Sequence, residues 1–221
     1  MKFRLIKLIL IGLLLGLVMA QEEAITPGME KNDSKDLKPG DIAPSWALMY
    51  APGKFEFLRT WSEEEGKKLR LIVSQPDRHA VLMSFFATWC KPCMKELPLL
   101  EEVYQKYKDE RIKFFLVDIT EATRNNPGEV YGVAYKDVPV AGPFLKNKGV
   151  TMQILFDTRG VVMKNYNAQT LPRLFLMDGN RKITLTRRGF HDGEEKKFKN
   201  DLSVEIEHLL AELPPLKSKT N

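Results

Sequence analysis

Cysteine is nearly absent from this 221-residue chain: it has two, Cys90 and Cys93, with two residues between them. Two cysteines so close exclude a disulfide-stapled scaffold, because the short loop they close removes little entropy from the unfolded chain. Histidine is scarce too, with only His79, His191 and His208, none spaced as a partner to the cysteine pair. A metal site of four soft or nitrogen ligands is therefore not expected, and a covalent haem site would need His where Met94 stands. Net charge is small. The formal +5 includes Lys2, Arg4 and Lys7 with no acid among residues 1–20, which leaves +2 for the remainder and argues against nucleic acid as a partner. No internal repeat is visible, which excludes a solenoid or propeller. What is present, 43% hydrophobic residues, supports one buried core.

The longest apolar run near the start, Leu8 to Val18, has eleven residues against the ~20 that span a bilayer. Basic residues precede it and Val18-Met19-Ala20 follows, the three-part layout of a signal peptide over residues 1–20. Cleavage is expected; a retained signal would be the only membrane contact and would anchor the protein to the inner membrane. No cysteine follows the run, so a lipid anchor at that point is excluded. Export delivers the chain to a compartment where disulfides form and persist, the periplasm in a Gram-negative source. A polar linker over 21–36, one domain over 37–213 and a flexible tail over 214–221 complete the expected organisation.

Within the domain, Trp46 to Tyr50 and Lys54 to Leu58 flank Ala51-Pro52-Gly53 and read as a hairpin, with a turn or short helix around Ser62 to Lys68. Ala80 to Ala87 is continuously apolar except for Ser84, as in a strand buried on both faces. Leu97, Leu100, Val103, Tyr104 and Tyr107 then recur at three and four residues, predicting a helix from Lys91 to Tyr107. Pro92 fits its first turn, and Pro98 is expected to kink it. Further strands are expected at Ile112–Val117, Met152–Phe156, Leu174–Met177 and Lys182–Arg188. Helices are expected at 143–148, 161–166 and 194–213, and a loop at Asn125 to Gly128.

Cys90 thus stands at the end of a buried strand and at the first turn of a helix, where free N–H groups and the dipole favour negative charge. Its thiol should ionise more readily than the ~8.5 of a free cysteine, with Lys91 acting in the same direction. Cys93, one turn on, is the resolving thiol of a redox-active disulfide. Cys90 thiolate would attack a partner disulfide, and Cys93 would then displace the partner from Cys90. Glu96 lies three residues after Cys93 on the same helical face. It either handles the proton of Cys93 or is a solvated carboxylate.

Three stretches carry a family resemblance. Leu37-Lys38-Pro39-Gly40-Asp41-Ile42-Ala43-Pro44, Phe86-Ala87-Thr88-Trp89-Cys90-Lys91-Pro92-Cys93-Met94-Lys95-Glu96-Leu97-Pro98 and Leu171-Pro172-Arg173-Leu174-Phe175-Leu176-Met177-Asp178 resemble segments of the TlpA-like branch of the thioredoxin superfamily. This group of exported thiol-disulfide oxidoreductases includes the ResA and DsbE proteins of cytochrome c maturation. The resemblance implies a thioredoxin-like α/β fold, a central mixed sheet flanked by helices, here with an N-terminal β-hairpin extension. It implies a cis bond before Pro172, with the Leu171 backbone beside Cys90 for pairing with a partner's extended chain, and Trp89 shielding the dithiol and contacting that partner. It also implies disulfide-bearing exported proteins as substrates, a membrane thiol reductase as electron donor, and no cofactor.

Two positions depart from the pattern. Thioredoxin itself has a buried Asp where Ser84 stands, which leaves Glu96 the better proton carrier and Ser84 a hydroxyl satisfied within its strand. Arg173 replaces a small hydroxyl residue, so it either brings a charge to the dithiol and its partners or points from the surface. Two other functions share parts of the signature. A peroxiredoxin-like thiol peroxidase shares the Lys38 to Pro44 segment but needs a Pro-x-x-x-Thr-x-x-Cys setting not found here. A copper or metal chaperone of the same fold needs CxxxC and a distant His.

Overall fold

The computed structural model describes residues 36–62, 78–124 and 140–213. The expected signal peptide, the linker up to residue 35, the turn beyond Ser62, the Asn125 to Gly128 loop and the tail all lie outside the described residues. No helix among the described residues is long and apolar enough to cross a membrane.

Seven strands form one mixed sheet in the order β2-β1-β5-β4-β3-β6-β7. The centre is β3 (Ala80–Phe86), flanked by β4 (Ile112–Asp118) in parallel and β6 (Arg173–Met177) antiparallel. Every residue of β3 is buried, as an apolar run interrupted only by Ser84 requires of a strand covered on both faces. Strand β5 (Gln153–Phe156) runs parallel to β4, and β7 (Ile183–Arg188) closes the far edge against β6. The expected hairpin is β1 (Ala47–Ala51) with β2 (Lys54–Phe57), joined to the sheet through Met49 opposite Phe156. A single helical turn, α1 (Leu58–Trp61), which the sequence reading did not include, follows β2.

Helix α2 (Lys91–Tyr107) has the expected bounds. Pro92 stands in its first turn, where no N–H is needed, and the helix continues through Pro98. Cys93, Glu96, Leu97, Leu100, Val103 and Tyr107 form its buried stripe. Short helices α3 (Thr120–Arg124), α4 (Ala141–Asn147) and α5 (Val161–Asn165) follow, and α6 (Glu195–Glu212) closes the domain, burying Phe198, Leu202, Ile206 and Leu209.

Strand alternation divides the core into two layers. Leu82, Ser84 and Leu174 share the sheet face toward α2, where Tyr104 meets Phe114 edge-on at 5.4 Å. The opposite face holds an aromatic cluster of Trp46, Phe85, Phe115, Tyr166 and Phe175, with ring centroids 5.2–6.1 Å apart. Each such side chain contributes about 1.5–3 kcal/mol on burial. Both polar aromatic rings of this layer are partnered: the Trp46 indole N–H donates to Met83 Sδ (3.0 Å) and Tyr166 Oη–H to the Pro44 carbonyl (2.6 Å).

Candidate active site

Strand β3 ends at Phe86, and the chain turns through Ala87-Thr88-Trp89 into Cys90, the N-cap of α2. The turn is fixed from the β4–α3 corner. Thr120 Oγ1 accepts from the Thr88 N–H (3.0 Å) and is itself hydrogen-bonded to Asp118 Oδ1; the Trp89 indole N–H donates to Thr123 Oγ1 (3.0 Å). Thr123 in turn donates back to its own helix, so the half-buried indole is held on an anchored acceptor. No local signal in the sequence announces this tether, because its partners are on separate elements.

Cys90 and Cys93 are joined as a disulfide with Cα atoms 5.3 Å apart. Cys93 is fully buried and Cys90 is 3% exposed, an order that leaves Cys90 the more approachable sulfur. The Cys93 N–H donates to Cys90 Sγ at 3.2 Å. After reduction the same N–H and the helix start favour a thiolate on Cys90. Lys91 is exposed beside it.

Glu96 is not a solvated carboxylate. It is 1% exposed, one turn beyond Cys93, and accepts from the Ser84 hydroxyl at 3.0 Å. Burial pushes its pKa up to about 7, against the opposing pull of the Ser84 hydrogen bond and the Arg187 guanidinium. Ser84 therefore spends its hydroxyl on Glu96 rather than on its own strand. The sequence held the signal for this pair: one hydroxyl in an apolar strand and one carboxylate on an apolar helix stripe. Arg187, which was not foreseen, is opposite Leu174 in β6, itself opposite Ser84 in β3. It is held by Glu194 (3.1 Å) and Asp201 (3.2 Å) and lies over the Phe198 ring.

The Leu171–Pro172 peptide bond is cis, as the resemblance implied. Because Phe85 pairs with Arg173, the antiparallel register brings Leu171 and Pro172 alongside the turn that carries Cys90. Pro172 is buried, and its carbonyl accepts from the Gly189 N–H at 2.8 Å; Leu171 is half-buried.

Arg173 requires a correction. Its side chain is 3% exposed, so it does not point from the surface, and it lies on the sheet face opposite Ser84, Glu96 and the helix that carries Cys93. It stacks on Phe175 (4.5 Å) and donates to the Leu37 carbonyl (3.2 Å), the Arg187 carbonyl (3.3 Å) and Asp36 Oδ1 (3.1 Å). Strand alternation is the reason: Leu174, not Arg173, shares the Ser84 face.

The strand order, the CxxC at a helix start and the adjacent cis-proline define a thioredoxin-like protein, and the chain belongs to the redoxin family, which its residues 40–202 match. Among curated relatives, the thiol-disulfide oxidoreductase ResA of Bacillus thuringiensis subsp. konkukian is 30% identical over 131 residues, covering 59% of this chain and 66% of that protein. The sporulation thiol-disulfide oxidoreductase A of Bacillus subtilis is 27% identical over 126 residues, 57% of this chain and 69% of its own length. The matched stretch thus spans just under two thirds of the ResA length. A solved structure from Chlorobium tepidum, described as a thiol:disulfide interchange protein DsbE, superposes with a TM-score of 0.54 at 22% identity. It covers 77% of this chain and 99% of that one, and supports the fold.

Proposed function

We propose that this chain is an exported thiol-disulfide oxidoreductase that reduces disulfides of protein substrates through Cys90 and Cys93. The observation that carries the proposal is the buried Glu96, hydrogen-bonded to Ser84 one turn behind Cys93 and titrating at about 7. A group with that acidity is suited both to take a proton and to return it at neutral pH.

In the proposed cycle the Cys90 thiolate attacks one sulfur of a substrate disulfide and the other leaves as a thiolate. Glu96 takes the proton from the Cys93 thiol, whose sulfur then attacks Cys90 and expels the second substrate sulfur. Two electrons have passed to the substrate, which leaves as a dithiol, and the Cys90–Cys93 disulfide has formed. A membrane thiol reductase then restores the dithiol. The backbone of Leu171 beside Cys90 supports docking of an extended substrate segment, and Trp89 covers the pair. Apocytochrome c is a client consistent with the ResA similarity.

Cys93→Ser removes the resolving step, so the mixed disulfide through Cys90 should accumulate with disulfide-bearing exported proteins and disappear on reduction. Absence of any trapped species, with Cys90 reduced and reactive to an alkylating agent, would overturn the proposal. Direction is read by equilibrating the full chain with glutathione buffers. Related dithiols span about −270 to −120 mV, and a reductant belongs at the negative end.

A further inference from the structure

Arg173 is the one residue singled out by sequence that the dithiol chemistry does not use. A guanidinium buried at the start of β6 is costly unless its partners compensate. Three acceptors take its terminal nitrogens, the Leu37 and Arg187 carbonyls and Asp36 Oδ1, while Nε is buried without a partner. Arg188, directly opposite Arg173 in the sheet, donates to the same Asp36 oxygen at 2.6 Å. Two cations therefore converge on one carboxylate oxygen. Burial disfavours the charge on Arg173 and the neighbouring Arg188 charge adds to this; Asp36 opposes both without cancelling them.

We propose that Asp36, Arg173 and Arg188 form a latch that fastens the segment leading into the domain to the cis-Pro172 loop, and that Asp36 is thereby a positioning residue for substrate docking. The inference rests on the functional reading above. Arg173 follows Pro172 directly, and the Pro172 carbonyl is tied through the Gly189 N–H to the residue after Arg188. The three residues thus grip both strands that support the docking loop, from the face opposite α2. Without Asp36, two guanidinium groups face one another with one of them buried, and relief requires Arg173 to leave its slot. Moving Arg173 moves Pro172 and Leu171. The dithiol, the Glu96–Ser84 pair and the Trp89–Thr123 tether are on other elements and stay in place.

The test compares two probes on the full-length, pre-reduced chain: insulin, a protein disulfide that needs an extended segment docked beside Leu171, and dithiobis(nitrobenzoate), a small disulfide that does not. Each oxidises Cys90 and Cys93 as it is reduced. Asp36→Ala should slow the reaction with insulin about tenfold. It should leave the small-disulfide rate and the reduction potential unchanged. Asp36→Glu, which keeps the carboxylate, should recover most of the insulin rate, and Arg188→Met, which removes the more exposed arm, should give a smaller loss. A wild-type rate with insulin in Asp36→Ala, or equal losses with both probes, would overturn the latch while leaving the oxidoreductase reading intact. A wild-type chain unreactive with both probes would overturn that reading, and the docking role with it.

Discussion

Replacing Glu96 by Gln should make the protein more stable at alkaline pH while slowing its chemistry. The carboxyl is 1% exposed, and its pKa rises from an ordinary 4.5 to about 7 because burial penalises the anion. In the unfolded chain the same group titrates near the ordinary value, so between the two values the folded state holds a proton that the unfolded state has lost. The stability from that proton is fully present below about 4.5 and is lost as pH rises through about 7. The interval, at about 1.4 kcal/mol per pH unit, amounts to roughly 3 kcal/mol. Glutamine keeps the shape and an oxygen to accept from Ser84 Oγ, and it carries no charge at any pH. Urea denaturation of the oxidised protein at about pH 5 and about pH 8 measures the difference. The wild type should lose about 2.5 kcal/mol more than Glu96→Gln between those two pH values, part of the effect having set in by about pH 5. The same variant should slow release of the mixed disulfide by about a hundredfold, since Cys93 loses its base. Parallel stability-versus-pH curves for the two proteins would refute the reasoning, because they would mean that Glu96 reaches solvent when ionised.

Two further outcomes follow from neighbouring contacts. Arg187→Met removes the cation that favours ionised Glu96, so the pH at which the release step becomes fast should move upward in a pH–rate profile. It also strips Glu194 and Asp201 of their shared partner, at a cost of about 1–2 kcal/mol in chemical denaturation. Thr123→Val removes the acceptor of the Trp89 indole and should cost about 1 kcal/mol. Cys90 should then react faster with iodoacetamide after reduction.

Elements whose signals are local were legible in the sequence. Pro92 in a first turn and an apolar stripe from Leu97 to Tyr107 located α2, and an apolar run interrupted only by Ser84 located β3. The cis bond before Pro172 came from resemblance and is present. What escaped depends on tertiary contact. The burial of Glu96 is decided by which helix face meets Ser84, and only that contact excludes the reading as a solvated carboxylate. Arg173 escaped because its partner, Asp36, is on a segment read as linker, 137 residues away. Arg187 escaped because a strand-end arginine with acids on α6 looks in sequence like an ordinary solvated charge.

The position of β3 at the middle of the sheet also bears on how the chain assembles. Its hydrogen-bonding edges are taken by β4 on one side and by β6 on the other, and β6 begins only at Arg173, long after the cysteines have been synthesised. Until those late residues arrive, a strand apolar at every position but Ser84 keeps a free edge, the kind of surface on which partly folded chains pair with one another. Contacts of such long sequence separation form slowly. The stretch that brings Pro172 beside Cys90 is therefore also the one that seals β3, so docking competence and protection from aggregation arrive in the same folding event.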